Sequence, residues 1–371
     1  MLIGVPKEIK THEYRVGCTP TSVRELTHNG QEVVVESGAG LGIGFADRAY
    51  EAVGARIDDA AGVYGSADIV VKVKEPQPSE FPFLRDGQVL FTYLHLAAEP
   101  EVTTALVDSG CVAIAYETVT DLSGGLPLLA PMSEVAGRMS IQVGAHCLEK
   151  EMGGLGVLLP GVAGVEAASV VVLGGGVAGS NAARMAMGMQ AKVTVLDKSL
   201  AQLMVLDAQY GPTLNTIFST VDAVERYVLE ADLVVGAVLV PGAATPKLVS
   251  RDLVRQMKPG AAVVDIAIDQ GGCFETSRPT THAEPTYIED EVVHYCVTNM
   301  PGAVPRTSTF ALNNATLPFV LALAGKGYRR ALNEDPHLRR GLNVHRGRIT
   351  HPAVARALGY GFQHPEEAIA A

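Results

Sequence analysis

The sequence predicts two doubly wound α/β domains, the second inserted into the first. Three observations predict this. Short apolar runs of strand character alternate with helix-like segments almost throughout, the pattern of parallel sheets covered by helices. The 371 residues exceed the size at which one hydrophobic core stops growing. The last strand-like run, at Val293, is followed only by sequence that reads as helical or irregular. That tail lacks enough apolar residues to stand alone, so it is expected to return to the first domain. The expected division is 1–128 with 306–371 for one domain and 129–305 for the other.

The elements follow in order. Leu2–Val5, Glu32–Glu36, Asp68–Val73, Val89–Leu94 and Val112–Tyr116 read as the first strands. Thr19 offers an N-cap and Pro20 a first-turn proline for a helix that Gly30 stops. Asp47 can cap a helix ending at Gly54, and a third helix runs from about Pro100 to Ser109, before Gly110. Ser133–Lys150 is a long helical stretch, with Ser133 as its cap and Pro131 just outside. Further strands are expected at Val170, Val193, Leu214, Leu233, Ala262 and Val293, then a helix over Thr307–Ala324 and no strand after it.

The most specific signal lies at Ser169–Asp197, SVVVLGGGVAGSNAARMAMGMQAKVTVLD. A β-branched run leads into Gly174, Gly176 and Gly179, which supply G-x-G-x-x-G. The first glycine permits a tight turn, the second lets backbone approach a pyrophosphate, and the third lets helix pack on strand. Asn181–Met189 is helical in composition, and its N-terminus would point N–H groups at phosphates. Lys192–Leu196 make the next strand. Asp197 ends it, roughly 20 residues on, where an acid hydrogen-bonds a ribose hydroxyl and repels a 2′-phosphate. A Gly-rich turn of another α/β protein would lack this combination. The expectation is therefore a Rossmann-like domain binding NAD in preference to NADP.

Composition narrows the partners. A net charge of −11 argues against nucleic acid and anionic membranes. No apolar segment precedes the charges of MLIGVPKEIK, and the glycine-rich region Gly153–Gly179 is broken by Pro160, Glu166 and Ser169. Neither a signal peptide nor a membrane span is expected. The five cysteines, Cys18, Cys111, Cys147, Cys273 and Cys296, form no C-x-x-C pair and read as buried thiols of a cytoplasmic enzyme.

A nicotinamide cofactor moves hydride, so the remaining machinery must bind an oxidisable carbon and manage a proton. Candidates should stand at carboxyl ends of strands, facing the cleft between domains. Lys74, before Glu75-Pro76, is at such a strand mouth, where it is either a binding group or a solvated lysine. His95, in FTYLHLAA, holds the matching place after the next strand. It is either a core residue or a proton-transfer group with a suitable ordinary pKa of ~6.5. Arg15, in HEYRVGCTP, can take a carboxylate in bidentate fashion or pair with Glu8 or Glu13. Asp269, in VVDIAIDQGG, either sits where nicotinamide stacks or caps a turn with Gly271 and Gly272. Asn299, in NMPGAVP, either bonds a ligand or stabilises its turn.

These motifs in this order resemble the alanine dehydrogenase family, which is related to the NAD-binding subunit of transhydrogenase. The resemblance runs from Ile3 to Ala357 through GVPKEIK, EYRV, VVKVKEP, TYLHLAA, AIAYETV, LLAPMSEVAGR, GAVLVPG, VDIAIDQGGCFE, NMPGAVPRTST and HPAVA. It implies reversible oxidative deamination of L-alanine to pyruvate and ammonium with NAD, in a homohexamer. It implies that Arg15 and Lys74 bind the substrate carboxylate, that Met132 borders the methyl pocket, and that His95 and Asp269 are the acid/base residues. It places Ser133, Gly174, Gly176, Val177, Ala178, Gly179, Asp197, Ser219, Val238, Leu239, Ile266, Ala267, Ile268, Asp269, Arg278, Val297, Thr298, Asn299 and Met300 against NAD. Gln202 departs from a lysine or arginine common in relatives, with Lys198 close by. Ala322 and Lys326 replace a glutamate and histidine that hold metal in some members, so no metal is expected. Pro160 and Ala163 replace a more usual glycine and proline. The rival readings are an NAD-binding transhydrogenase-like subunit, which would not need the set Arg15, Lys74, His95 and Asp269, and a dinucleotide-sensing regulator without turnover.

Overall fold

The structure, a computed structural model, describes residues 1–238 and 245–370. Leu239 and the end of the GAVLVPG motif lie outside the described residues. The chain forms two compact units, Met1–Met132 with Val304–Ala371, and Ser133–Ala303.

The first unit opens with β1 (Leu2–Val5), β2 (Glu32–Glu36), β3 (Arg56–Asp58), β4 (Ile69–Val71), β5 (Val89–Thr92) and β6 (Val112–Ala115). The second contains β7 (Ser169–Leu173), β8 (Lys192–Asp197), β9 (Asn215–Phe218), β10 (Leu233–Gly236), β11 (Ala262–Asp265), β12 (Thr286–Glu289) and β13 (Val292–Tyr295). The chain then returns to the first unit as β14 (Leu342–His345) and β15 (Arg348–Ile349). Strand order is β15-β14-β6-β5-β4-β1-β2-β3 in the first sheet and β12-β13-β11-β10-β7-β8-β9 in the second. Neighbours among β1–β6 and β7–β11 pair in parallel. Each sheet starts centrally, at β1 or β7, grows to one edge, and resumes on the other side at β4 or β10. This reversal is the doubly wound plan, and ligands bind beside it, beyond the carboxyl ends of the strands.

The central strands are buried along their whole length, as in β5, β6, β10 and β11. That explains their continuous apolar runs, since a parallel sheet is covered on both faces. Alternate residues of β7 feed opposite cores. Val170 and Val172 pack with Ala182 and Ala186 on one side, while Val171 and Leu173 pack with Val224 and Val228 on the other.

Several local expectations need correction. Strands do follow Pro305: β14 pairs antiparallel with β6 and hairpins into β15. The hairpin turns at Arg346 and Gly347, both left-handed (φ 45 and 81), without the Asn-Gly or Asp-Gly that usually advertises such a turn. The short strands β3 and β12, at sheet edges, also went unanticipated. The long helix spans Ala130–Cys147, so Pro131 and Ser133 lie inside its first turns and Ser133 is not its cap. Proline is tolerated there because first-turn N–H groups have no intrahelical acceptor. Asp47 is the first residue of its helix rather than the cap, and that helix ends at Glu51. Its carboxylate instead accepts from Gly38 N (2.7 Å) and Ser37 Oγ (2.7 Å). The cofactor helix begins at Val177, earlier than Asn181.

Candidate active site

In the first unit three of the singled-out side chains stand just past the carboxyl ends of neighbouring strands. Arg15 lies between β1 and the helix Pro20–His28, Lys74 after β4, and His95 after β5.

Arg15 is 2% exposed, so its charge requires a partner. Glu13 is that partner: Arg15 Nε donates to Glu13 Oε1 (2.7 Å) and Nη2 to Oε2 (2.5 Å), while Nη1 reaches Met132 Sδ at 3.0 Å. Burial opposes the guanidinium charge, and the Glu13 carboxylate more than offsets it, so the Arg15 pKa is raised. The bidentate pairing fixes the plane of the guanidinium, and Met132 packs at its tip.

Lys74 is braced through its backbone. Glu8 Oε1 accepts from Val73 N (2.6 Å) and Lys74 N (3.3 Å), and Glu8 Oε2 lies 3.4 Å from the Lys72 ammonium. Lys72, fully buried, also donates to Glu80 (2.7 Å), which accepts from Tyr64 Oη (2.8 Å). Burial pushes the Glu8 pKa up despite Lys72. Lys72 is also held above its usual range, because Glu8 and Glu80 outweigh its desolvation. Two carboxylates and one lysine thus lock the loop from which Lys74 projects.

His95 has a left-handed backbone (φ 50, ψ 36) and a side chain 45% exposed, which sets aside its reading as a core histidine. Its ring stacks on Tyr93 at 7° with centroids 6.0 Å apart. Its backbone N donates to Glu117 Oε1 (2.7 Å), and Nδ1 lies 4.0 Å from the same oxygen. Of the orienting acids, Glu13 and Glu8 were alternatives for Arg15 in the sequence, and Glu117 went unassigned. The available signal was position: Glu117 follows β6 just as Lys74 follows β4.

In the second unit, Gly174 follows β7 at φ +96, a backbone few other residues adopt. A Cβ on Gly179 would lie 1.8 Å from Gly174 O, whereas one on Gly176 would meet nothing within 4 Å. The first close approach is structural. The second leaves open space at the start of the helix Val177–Gly188, where backbone N–H groups await an anion. Val177 and Ala178 belong to that first turn. A Cβ on Gly137 would lie 2.1 Å from Ala178 O, so the helix carrying Ser133 packs tightly here, with Ser133 one turn away.

Asp197 ends β8, half-buried, and accepts from Gly175 N (2.6 Å) and Ser199 N (2.7 Å). Ser219 N donates to the Asp197 carbonyl (2.9 Å), and Gln202 Nε2 to the Gly175 carbonyl (2.7 Å). Val238 borders Gly174. After β11, the turn Ile266–Gln270 carries Ile266, Ala267, Ile268 and the exposed Asp269. The capping role open to Asp269 in the sequence belongs to Asp265. That buried carboxylate accepts from Ala267 N (3.1 Å), Cys273 N (2.9 Å) and Ser277 Oγ (2.6 Å). Burial nevertheless keeps its pKa raised.

Arg278 lies over the Tyr287 ring at 3.9 Å. Thr298 N donates to Thr280 O (3.2 Å), and Asn299, left-handed at φ 58, hydrogen-bonds His282 Nε2 through its carbonyl (3.2 Å). Val297 and Met300 are buried in the apolar core, so any ligand contact from them would be through backbone. The set fits a dinucleotide: an open glycine turn, a helix N-terminus, and an acid at the next strand's end. Among the described residues no cluster of His, Cys, Asp or Glu could hold a metal ion.

Residues 4–136 match the family described as "Alanine dehydrogenase/PNT, N-terminal domain", and residues 140–352 its C-terminal domain. A relative from Halomonas elongata, "Alanine dehydrogenase", is 62% identical over 360 residues, covering 97% of each chain. A solved structure titled "L-ALANINE DEHYDROGENASE" superposes with a TM-score of 0.94 at 51% identity, covering 97% of this chain and 99% of that one. A transhydrogenase from Sinorhizobium meliloti is more distant, with a TM-score of 0.82 at 26% identity over 95% of this chain and 100% of that one.

Proposed function

Because the chain belongs to the alanine dehydrogenase family, we propose that the side chains just described carry the reversible conversion of L-alanine, NAD⁺ and water into pyruvate, ammonium, NADH and a proton. The enzyme class is NAD-dependent amino-acid dehydrogenase, and NAD is the cofactor. When bound, NAD accepts hydride from the substrate Cα or returns it. Everything else falls to the protein.

Arg15 and Lys74 hold the substrate carboxylate and so fix Cα. Such positioning is worth up to ~7–11 kcal/mol in the ideal case. Glu13 pre-orients the guanidinium, so little of that alignment is left to the substrate. Met132, against Arg15, borders the substrate methyl. The amine must lose a proton before hydride departs, and water must lose one to attack the resulting iminium carbon. His95 holds or moves these protons at the substrate nitrogen and the attacking oxygen, with Asp269 as the second acid/base group. Pyrophosphate is held at Gly174–Gly179 with Val177 and Ala178, and the adenosine ribose hydroxyls by Asp197. Ser133, Ser219, Val238, Ile266–Asp269, Arg278 and Val297–Met300 complete the cofactor's surroundings.

The observation that carries this reading is the placement of Arg15, Lys74 and His95 at the ends of adjacent strands β1, β4 and β5. We also infer a cytoplasmic homohexamer. Its support is the family resemblance, the five buried free thiols, and the absence among the described residues of a helix long and apolar enough to cross a membrane. Alanine-dependent appearance of NADH with the purified protein alone tests the activity, and light scattering tests the assembly. Tight NADH binding without turnover of alanine or any other small amino acid would support a dinucleotide-sensing regulator instead.

A further inference from the structure

The left-handed backbone of His95 is uncommon outside glycine, although histidine adopts it more readily than most residues, and it is held here by its surroundings. Glu117 is what surrounds it. This acid sits in the short turn Tyr116–Thr118 after β6, with its side chain 14% exposed. Its carboxylate accepts from two consecutive backbone donors, His95 N (2.7 Å) and Leu94 N (3.3 Å). The Glu117 turn is in turn tied to the returning strand β14. Asn343 Nδ2 donates to Thr118 Oγ1 (2.8 Å), and Ala115 N donates to the Gly341 carbonyl (2.7 Å). On the far side, the Tyr93 ring stacks on the imidazole, and Tyr93 Oη donates to the Leu128 carbonyl.

We propose that Glu117 is the positioning residue of His95: an acceptor that pins the Leu94–His95 amides and thereby holds the imidazole in its working orientation. It acts through His95 and does not touch the reacting atoms. The proposal rests on His95 being an acid/base group. It also gives the C-terminal segment a task, because β14 supports the turn from which Glu117 reaches across.

The geometry requires an acceptor oxygen, which glutamine retains and alanine lacks. Hydrogen exchange read by mass spectrometry on peptides covering Leu94–Ala98, without alanine or NADH, should therefore separate the variants. Glu117→Ala should lose protection at about two amides, while Glu117→Gln should keep it. In steady state, Glu117→Ala should lower kcat about 100-fold, with pyruvate KM and NADH affinity within about threefold of wild type. Glu117→Gln should stay within about fivefold of wild-type kcat, since the positioning acceptor survives. In a His95→Ala background, Glu117→Ala should add no further loss, the signature of a residue acting through another. Unchanged exchange in Glu117→Ala would overturn the proposal. So would losses that add to those of His95→Ala, or a Glu117→Gln variant as impaired as Glu117→Ala. Full turnover in His95→Ala would overturn the reading of His95 and the catalytic part of the proposal, while the exchange result would still decide whether Glu117 holds the turn.

Discussion

Gly176 and Gly179, about one helical turn apart, should respond to the same substitution in opposite ways, and the pair tests the cofactor site directly. A Cβ at Gly176 meets nothing within 4 Å, and φ there is −64, which alanine adopts without strain. Gly176→Ala should therefore leave the cofactor-free protein at least as stable as before. Loss of unfolded-chain entropy would add about 0.4–1 kcal/mol. The added methyl would occupy the space through which a pyrophosphate approaches the helix, so NADH affinity should fall at least about tenfold, or ~1.4 kcal/mol. Gly179→Ala differs. Its Cβ would lie 1.8 Å from Gly174 O, where real Cβ atoms keep at least 3.0 Å, so helix and strand must separate by more than an ångström. Overpacking of that kind costs about 1–3 kcal/mol of stability, and NADH binding is lost along with it. Thermal melts without cofactor and NADH fluorescence titrations read both quantities. Wild-type NADH affinity in Gly176→Ala would refute the placement of the pyrophosphate. A large Tm loss in that variant would refute the claim that the space is open.

Other expectations follow from single side chains. His95→Ala should abolish most alanine turnover while NADH titrations remain near wild type; retained turnover would remove His95 from the chemistry. Asp197→Asn keeps an acceptor for Gly175 N but removes the charge that repels a 2′-phosphate. Its NADP-to-NAD ratio of kcat/KM should rise at least about tenfold, since one such charge is worth ~1.4 kcal/mol or more. An unchanged ratio would show that the acid does not face the ribose. His294 is buried between Thr276 Oγ1 (2.8 Å) and the Val292 carbonyl (2.9 Å), and burial lowers its pKa, as it does for His345 and His351. The unfolded chain takes up these protons near its ordinary pKa of ~6.5 while the folded chain does not. Their contribution to stability is full above that value and is lost as pH falls towards the folded pKa. Apparent Tm should drop between neutral and mildly acidic pH, and His294→Gln should flatten the drop; an identical pH slope in that variant would contradict the assignment.

The fold was legible at most strands of the sheet interiors. Val170–Leu173, Leu233–Gly236 and Ala262–Asp265 are buried on both faces, and a strand covered on both sides must be apolar at every position rather than at alternate ones. The edge strand β9 was still read near Leu214, but β3 and β12 escaped because one side of each needs no apolar residue. Thr286–Glu289 has no fully buried position, and Arg56–Asp58 is half-exposed. The returning strand Leu342–His345 is fully buried, yet four residues of LNVH carry too little periodicity to separate strand from helix. Its identity comes from β6, whose free edge it covers. That is tertiary information, which no local window contains.

The candidate site divides along a similar line. The groups proposed to face a ligand were visible because each follows a recognisable strand or glycine turn, as Lys74, His95 and Asp197 do. The groups that orient them were not, because their partners are distant in sequence: Glu8 holds Lys74 N across 66 positions, and Glu117 holds His95 N across 22. An acid in such a place looks like any solvated carboxylate until the fold closes around it. Glu13 shows how far proximity helps. Two residues from Arg15, it is an evident partner by position, but sequence offers no means of choosing between it and Glu8. The choice is made by what else each acid must satisfy. Glu8 is engaged with the backbone amides of Val73 and Lys74 and shares the Lys72 ammonium with Glu80, and drawing it to Arg15 would strip the acceptor from those amides, which burial makes costly. Glu13 is then the acid left to neutralise Arg15, and the two buried cations are shared out so that each has a carboxylate against it.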